Sequence, residues 1–290
     1  QKCKKCGLCQ IQDVINPSIL YKDYLYQSNT SSYLDTHFSN YAQKVSKFLK
    51  LKKNSQIVDI GSNDGLLLSK FKKIGHKVIG IEPASQISKI ANKKKIYTIN
   101  SYFNRKTSEK ILKESKKISL VTANNVLANI DNINLWFKNI KKLIRDHGFF
   151  VFESFYLKDV IDNKVLDFIY HEHLSIFSVK CIKYLCNLHQ LKLVYIERVD
   201  TKGGSLRYYI CSKKSKFKIH NVVSVQEKIE KKYLCFRAKT FKKLGKFLKE
   251  RKKKLDLILL KLNKKKEIIG LGASISCITL IYQLGIQNKI

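Results

Sequence analysis

The stretch that decides the fold is Gln56-Ile57-Val58-Asp59-Ile60-Gly61-Ser62-Asn63-Asp64-Gly65. Its first five residues are typical of a buried strand, and the glycines after them let the backbone of a turn approach a ligand closely. The turn opens a helix, whose first N–H groups have no partner inside the helix and can therefore bind a ligand. This order of elements predicts a cofactor loop at the end of the strand.

The turn differs from the G-x-G-x-x-G loop that places pyrophosphate against bare backbone in dinucleotide folds. It lacks the middle glycine and adds the carboxylate of Asp64, which would repel a pyrophosphate. Asp64, together with Asp59 at the strand end, suits the cationic amino group and sulfonium of S-adenosylmethionine (SAM). We therefore predict that SAM is bound by Asp59, Gly61, Asn63 and Gly65.

Two further polar side chains end predicted strands. Glu82 closes the run 77–82, 23 residues after Asp59, where a carboxylate can accept hydrogen bonds from both ribose hydroxyls. Asn124 closes the run 118–124 and is predicted to border the same crevice at the carboxyl edge of the sheet. Glu82 and Asn124 thus complete the predicted SAM site, which depends on the combination of loop, acid and strand order.

Seven strand-like runs organise the chain, at 56–60, 77–82, 96–99, 118–124, 149–154, 192–199 and 205–211. Amphipathic stretches between the first five predict a mostly parallel sheet with helices on both faces. The last two runs are joined by 200–204, whose two glycines indicate a hairpin. This α/β pattern predicts the Rossmann-like, seven-stranded sheet of the class I SAM methyltransferases.

The net charge of +35 invites a nucleic-acid interpretation. Only six of the 57 basic residues are Arg, the side chain that recognises phosphates and bases bidentately. Lys is spread along the whole chain, so we interpret the charge as a solvated coat and expect neither a specific nucleic-acid partner nor a membrane partner. A basic, zinc-containing nucleic-acid-binding protein is the alternative from outside the enzymes.

Eight cysteines form no disulfide pattern, which fits a reducing cytoplasm, the expected location. Cys3-Lys4-Lys5-Cys6-Gly7 is half of a tetrahedral site for a structural Zn²⁺, with Cys3 and Cys6 as two of its four ligands. Cys9 is a candidate for a third. A redox C-x-x-C is disfavoured because no βαβ unit surrounds the pair.

Tyr170-His171-Glu172-His173 places four proton-handling groups in consecutive positions. The two histidines would share one face of an extended chain and could bind a metal. Acid–base chemistry suits them better, because imidazole titrates near neutrality and a nearby carboxylate raises its basicity. The remaining histidines are interpreted as core or surface groups: His37, His76, His147, His189 and His220.

These motifs carry a family resemblance. The glycine turn, Asn125-Val126-Leu127-Ala128, Phe152-Glu153, the segment 167–178 and Gly203-Gly204-Ser205-Leu206-Arg207 resemble the sugar-nucleotide C-methyltransferases. This family includes the C-3 methyltransferases of antibiotic deoxysugar pathways. Its members have an N-terminal zinc-binding domain, a central SAM domain and a C-terminal α/β domain that helps hold the nucleotide sugar. The resemblance runs over nearly the whole chain.

The resemblance implies a 4-keto deoxysugar linked to a nucleotide diphosphate as substrate. A base removes the proton next to the keto group, and the resulting enolate takes the methyl group of SAM. By this analogy His173 is the base, Tyr170 and Glu172 position the substrate or stabilise the enolate, and Tyr24 reaches the same pocket. A SAM-dependent O- or N-methyltransferase that acts on another small molecule is the alternative.

The chain departs from the family at three places. Asn129 stands where the family usually has His, and Asn cannot exchange a proton at neutral pH. Lys202 stands where His commonly precedes Gly-Gly-Ser. Ser276-Cys277 replaces the usual Lys-Gly that follows the turn beginning at Gly270. The first departure implies either that this His is not the essential base or that the substrate differs.

We divide the chain into a partial zinc-binding region (1–45), a SAM domain (46–215), and a helical connector with a truncated C-terminal α/β domain (216–290). Apolar residues at helical spacing in 225–266 predict the connector, with a basic helix on a membrane surface as the alternative. Glycines and polar residues in 268–290 favour strand, tight turn and helix over a membrane span.

Overall fold

The structure, a computed structural model, describes residues 1–22, 27–28, 32–115, 117–232, 237–263, 268–271 and 274–289. The strands are β1 (Cys9–Gln10), β2 (Gln56–Ile60), β3 (Lys77–Ile81), β4 (Thr98–Ile99), β5 (Leu120–Thr122), β6 (Phe149–Phe155), β7 (Ser175–Ile176), β8 (Leu191–Val199) and β9 (Ser205–Ser212). The helices are α1 (Pro17–Tyr21), α2 (Ser32–Phe48), α3 (Leu66–Lys73), α4 (Ser85–Lys93), α5 (Arg105–Glu114), α6 (Ile133–Ile144), α7 (Leu157–Asp162), α8 (Val179–Leu188), α9 (Asn221–Lys232), α10 (Ala238–Asn263) and α11 (Ile275–Leu284).

Seven of the strands form one sheet in the order β4-β3-β2-β5-β6-β9-β8. Strands β2 to β6 pair in parallel, and β9 lies antiparallel between β6 and β8. The predicted seven-stranded sheet with its closing hairpin is therefore confirmed. The strand order reverses between β2 and β5, and such a switch point leaves a crevice at the carboxyl ends of the strands.

The sheet is buried on both faces, and each face contributes to a separate core. Successive side chains of a strand point to opposite sides and so enter different cores. Phe150 and Phe152 of β6 face one core, where their rings stack with centroids 5.0 Å apart. Val151 faces the other core, with Tyr41 of α2 and Phe71 of α3. Helices α2 and α3 thus cover one face at the very place where the glycine turn leaves β2.

The first ten residues are tied to the segment that carries His173. Strand β1 pairs antiparallel with β7, with Cys9 opposite Ile176, and the N–H of Ile11 donates to the carbonyl of Leu174 at 3.0 Å. Cys6 and Leu8 pack against the main core. This two-stranded sheet was not predicted, because two-residue strands have no detectable sequence periodicity.

The C-terminal part is only partly as expected. Helices α9 and α10 confirm helical structure in 225–266, and α11 confirms the helix near the end. The predicted strand is wrong for 268–271, which are irregular. A strand is stable only when a neighbour satisfies its N–H and C=O groups, and no described strand lies beside this segment. None of the described helices combines the length and apolarity needed to cross a bilayer.

The predicted division of the chain at residue 45 falls inside α2, which runs without a break from Ser32 to Phe48. Val45 itself is fully buried against the sheet. In the structure, α2 therefore packs as part of the seven-stranded unit.

Candidate active site

A cavity of about 1370 Å³ opens at the carboxyl edge of the sheet. The glycine turn (60–63) lines one part of it, and Tyr170, His171, Glu172 and His173 line another. The two motifs singled out in the sequence therefore face the same space, although more than a hundred residues separate them.

The glycine turn is shaped by its backbone. Gly61 has φ +67°, and a Cβ there would come within 2.4 Å of Val126 Cγ2. Asn63 has φ +50°, and its Oδ1 accepts hydrogen bonds from the N–H groups of Ser28 and Asp64 at 2.9 Å. Gly61 and Asn63 both line the cavity, and their binding of a cofactor stays a prediction.

Two buried acids border the turn. Asp59 accepts a hydrogen bond from Thr122 Oγ1 at 2.6 Å, and burial raises the pKa of Asp59 to about 7. Glu82 accepts from the N–H groups of Asn63 at 3.0 Å and Ala84 at 2.9 Å. Burial also raises the pKa of Glu82. Both acids line the cavity, and Glu82 joins the β2 and β3 loops into one wall.

Asn124 lies where predicted, beyond the end of β5. Its Oδ1 accepts from the N–H of Glu153 at 3.0 Å, whereas its buried Nδ2 has no partner among the described residues. Ser62 Oγ, Asn125 Oδ1 and Trp136 Nε1 share this condition and also line the cavity. Buried polar groups are almost always satisfied, so these atoms point to a polar ligand.

Two residues of the glycine turn, Asp64 and Gly65, lie outside the cavity lining. Asp64 is fully buried and pairs with Lys94 Nζ at 2.8 Å, and it is not among the cavity-lining residues. The expectation that its carboxylate faces a cationic cofactor is therefore wrong, because a lysine from the neighbouring α4 region already neutralises it. Gly65 is the N-cap residue of α3, has φ +79° and packs beside Ile96. It does not line the cavity either.

His173 is the most enclosed of the four consecutive groups. Its Nδ1 lies 2.8 Å from the carbonyl oxygen of Phe168, which can only accept, so Nδ1 carries the hydrogen and Nε2 keeps its lone pair. Burial, followed by the nearby charge of Lys202, lowers the pKa of His173 to about 4. The ring of Tyr170 lies 4.5 Å away, centroid to centroid. His173 is thus a neutral imidazole with an available acceptor nitrogen.

Glu172 and Lys202 lie on the same wall. Burial raises the pKa of Glu172 and lowers the pKa of Lys202 to about 8, against the opposing attraction of Glu172. Lys202 Nζ lies 5.7 Å from the centroid of the Phe168 ring. Glu172 is buried and Lys202 is half-buried, and among the described residues neither has an ion-pair partner.

His37 also faces the cavity, which our interpretation as a core or surface group missed. Its Nε2 lies 2.8 Å from Glu153 Oε2, and Arg207 pairs with Glu153 Oε1 at 2.6 Å. Burial alone would raise the pKa of Glu153, but His37 and Arg207 outweigh it and hold that pKa below its usual range. The only sequence signal was Phe152-Glu153 in the family resemblance.

A further wall, formed by Ser101, Tyr102, Phe103 and Asn104 after β4, was also missed. Tyr102 donates its hydroxyl hydrogen to the carbonyl of Pro17 at 3.0 Å and so holds α1 beside the cavity. Asn104 caps α5 by accepting from the N–H of Thr107 at 3.0 Å. Such an N-cap is recognisable in sequence, and its position after a strand could have placed this loop at the crevice.

The cavity is acidic although the chain is strongly basic. Its described lining includes one Lys or Arg, Lys202, beside three histidines. It also includes six acids, of which Glu153 is already paired with Arg207: Asp59, Glu82, Asp131, Glu153, Glu172 and Asp200. A site of this charge attracts cations and favours a ligand that carries positive charge. It therefore fits the ammonium and sulfonium groups of SAM.

The cysteine turn supplies two of the four ligands that a structural zinc takes. The N–H of Leu8 donates to Cys6 Sγ at 3.4 Å, and Gly7 has φ +79°. A hydrogen bond from Cys181 lowers the pKa of Cys6 to about 5. Among the described residues, no three or more His, Cys, Asp or Glu side chains are close enough together to hold a metal ion. The zinc site therefore stays a prediction. Tyr24 lies outside the described residues.

The strand order, the glycine turn at the switch point and the acids after two neighbouring strands define the class I SAM-dependent methyltransferases. Sequence comparison agrees: residues 33–196 match the family described as methyltransferase domain, and residues 200–290 match the C-methyltransferase C-terminal domain. The chain belongs to the methyltransferase-domain family. Its resemblance to C-methyltransferases is thereby confirmed.

Two curated proteins illustrate the relationship. C-methyltransferase NovU of Streptomyces niveus is 28% identical over 204 residues, which cover 70% of this chain and 49% of NovU. Ubiquinone biosynthesis O-methyltransferase of Pelagibacter ubique (strain HTCC1062) is 26% identical over 108 residues, covering 36% of this chain and 44% of that protein. The chain thus spans about half the length of the curated relatives that it matches.

Solved structures show the same fold at low sequence identity. The PH0226 protein from Pyrococcus horikoshii OT3 aligns with a TM-score of 0.52 and 14% identity, covering 64% of this chain and 94% of that one. The 1,6-didemethyltoxoflavin-N1-methyltransferase of Burkholderia thailandensis, solved with S-adenosylhomocysteine, aligns with a TM-score of 0.51 and 14% identity, covering 72% and 96%. Both likenesses concern the fold alone.

Proposed function

We propose that this chain transfers the methyl group of SAM to a carbon atom next to the keto group of a nucleotide-diphosphate-linked 4-keto deoxysugar. The observation that carries the proposal is the shared cavity. An acidic cofactor wall and the Tyr170–His173 segment line one space, so a methyl donor and a proton acceptor can act on the same substrate. The match of 200–290 to a C-methyltransferase C-terminal domain supports transfer to carbon.

The residues present fit SAM. Asp59 would hold its cationic amino group, Glu82 its ribose hydroxyls, and Gly61 and Asn63 would bring bare backbone close to it. Ser62 and Asn124 offer buried polar atoms that have no partner among the described residues. When bound there, SAM supplies an electrophilic methyl group.

The residues of the second wall would prepare the substrate carbon. A keto group acidifies the neighbouring C–H, and a base within hydrogen-bond reach removes that proton. The geometry supports His173 in this role, because its Nδ1 is committed to the Phe168 carbonyl and Nε2 is left as the acceptor. The lowered pKa of His173 keeps that acceptor unprotonated at neutral pH but makes it a weaker base than an ordinary imidazole. Tyr170 and Glu172, on the same wall, would orient the sugar. Asn129, which also lines the cavity, would contribute hydrogen bonds without exchanging a proton.

The test is to incubate the intact protein with SAM labelled with ¹³C in its methyl group. The acceptors are nucleoside-diphosphate 4-keto-6-deoxyhexoses, freshly prepared from the nucleoside-diphosphate glucose by a 4,6-dehydratase. Carbon NMR then locates the label. We expect a new methyl signal on the ring carbon next to the keto group.

A label found on oxygen or nitrogen would favour the O- or N-methyltransferase alternative. Absence of transfer to any of these keto sugars, with SAM binding intact by calorimetry, would overturn the sugar assignment while leaving the fold and cofactor unaffected.

A further inference from the structure

The hairpin turn between β8 and β9 carries Lys202 to the cavity wall. Lys202 Nζ lies 5.7 Å from the centroid of the Phe168 ring, and the ring of His173 packs on the same phenylalanine, 5.8 Å away between centroids. Lys202 is half-buried there. The side chain therefore reaches the part of the cavity that contains the acceptor imidazole.

The turn has little freedom to move. Asn163 Nδ2 donates to the carbonyl of Gly203 at 2.9 Å, and the N–H of Tyr156 donates to the carbonyl of Gly204 at 3.1 Å. Gly204, with φ +118°, lies so close to Asp159 that a Cβ would meet its Oδ2 at 2.5 Å. A turn clamped onto α7 in this way holds the lysine backbone in one place, which is what preorganised electrostatics requires.

The charge of Lys202 is available to a ligand. It is the one Lys or Arg among the described residues that line an otherwise acidic cavity. Glu172 attracts it electrostatically, but no ion pair joins it to any described carboxylate. A half-buried ammonium group that Glu172 attracts without forming an ion pair keeps its donors available to a ligand oxygen that carries negative charge.

We propose that Lys202 is a catalytic residue whose ammonium group binds the keto oxygen of the substrate and stabilises the negative charge that develops there during proton removal. This inference rests on the proposed function and identifies the group that makes its first step feasible. Lysine is suited to the role because an ammonium group presents three rotatable donors and a compact charge.

The C–H bond next to the keto group breaks, and the proton passes to Nε2 of His173. The electron pair of that bond forms the carbon–carbon double bond of the enolate, and the π pair of the carbonyl moves onto its oxygen. Lys202 keeps its proton throughout. The negative charge of the new oxyanion offsets the repulsion between the imidazolium and the ammonium group.

The experiment compares Lys202→Met and Lys202→Arg with wild type in the intact protein, using the keto sugar that wild type methylates. The readouts are kcat and KM, SAM binding by calorimetry, and exchange of the substrate C–H for deuterium in D₂O with S-adenosylhomocysteine bound. The matched control is Lys164→Met. Lys164 also has positive φ, +54°, and also lies over a phenylalanine, 6.0 Å from the Phe247 centroid, but it is exposed and outside the cavity lining.

We expect Lys202→Met to lower kcat and the exchange rate by about 100-fold or more, as for loss of one oxyanion donor. SAM affinity should stay within about twofold, and Lys202→Arg should retain more activity than Lys202→Met because it keeps the charge. Lys164→Met should match wild type. This ranking separates a catalytic charge from a structural role of the turn, which would depress both Lys202 variants equally.

Wild-type kcat in Lys202→Met, or equal losses in the Met and Arg variants, overturns the role of Lys202 alone. Wild-type protein that methylates none of the keto sugars overturns the proposed function, and this inference with it.

Discussion

Nε2 of His37 lies 2.8 Å from Oε2 of Glu153, and this contact joins helix α2 to the central strand β6 across 116 positions of sequence. Glu153 is 1% exposed, and its other oxygen pairs with the buried Arg207. The pair therefore links helix α2, which covers one face of the sheet, to strand β6 beside the cavity. Glu153 therefore stabilises the packing of α2 on the sheet and also forms part of the cavity wall.

Replacing Glu153 by Gln should destabilise the protein. The change leaves the Arg207 guanidinium buried with only the carboxylate of Glu197 beside it, and breaking a buried pair costs about 3 kcal/mol. Because the pKa of Glu153 is held below its usual range, the stabilisation is present above about pH 4.3, the ordinary Glu value. It is lost as the pH falls through the folded-state pKa.

Urea unfolding at pH 7 and at pH 3 measures both effects. Glu153→Gln should lower the free energy of unfolding at pH 7 and reduce its dependence on pH. The control is Glu109→Gln, which removes an exposed partner of Arg105 on the surface of α5 and should leave the unfolding curve in place. An unchanged curve for Glu153→Gln would contradict the prediction.

Replacing His173 by Ala should abolish methyl transfer while SAM binding persists. Loss of a positioned base lowers the rate by about 10²- to 10⁴-fold. His173 belongs to a different part of the cavity lining from the glycine turn, so its removal should leave SAM binding in place. The measurement is turnover with labelled SAM, alongside calorimetric SAM binding. His189→Ala is the control, since His189 contacts Asn134 on the surface at 3.0 Å. Wild-type turnover in His173→Ala would count against the base.

Replacing Gly61 by Ala should weaken both folding and SAM binding. The new Cβ would overlap Val126 at 2.4 Å in a backbone with φ +67°, and such overpacking costs about 2 kcal/mol. Gly245→Ala is the opposite case. Gly245 lies inside α10 with nothing within 4 Å of an added Cβ, so Ala should stabilise it by about 0.5–1 kcal/mol.

Thermal unfolding and SAM titration of both variants check this contrast. The expected signs are opposite for stability, and the loss of SAM affinity is confined to Gly61→Ala. A Gly61→Ala protein with wild-type affinity would show that the turn does not need its bare backbone.

SAM affinity should depend on pH through Asp59. Burial raises the pKa of this acid to about 7, and its ionised form is the one that attracts a cationic ligand. Affinity should therefore fall as the pH drops below 7, by at most about tenfold per pH unit. The same shift means that Asp59 destabilises the fold as pH rises from about 4, its ordinary pKa, towards 7.

Calorimetric titration with SAM between pH 6 and pH 8 tests the dependence, with Asp59→Asn as the comparison. Asn can still accept the hydrogen bond from Thr122, but it carries no charge, so its affinity should be weaker at pH 8 and flatter below pH 7. Wild-type affinity that is constant over this range would refute the role of Asp59.

Several elements of the fold were predictable because their signals are local. The buried apolar run 56–60, the glycines that follow and the turn at 200–204 each encode a conformation within a few residues. Asp59, Glu82 and Asn124 could be placed on one edge for the same reason, since parallel strands end together. The β1–β7 pair could not, because four residues in two distant segments show no period.

The placement of charge could not be predicted either. The whole chain carries +35, yet the described cavity lining is acidic and has Lys202 as its one Lys or Arg. Composition describes an average over the surface, whereas a ligand meets only the side chains that the fold turns inward. The same reason explains Asp64, which looked like a cofactor ligand but is neutralised by Lys94.

The amino-acid order by itself determined the alternation of strand and helix, the closing hairpin and the glycine turn after β2, because turn chemistry and hydrophobic period act over a few neighbouring residues. Tertiary structure alone decided that His37 would meet Glu153, that Asp64 would turn away from the cavity, and that Lys202 would line the same cavity as His173 without an ion-pair partner among the described residues. Those outcomes depend on how α2, α4 and the β8–β9 turn pack around the sheet, and packing is a property of the whole chain.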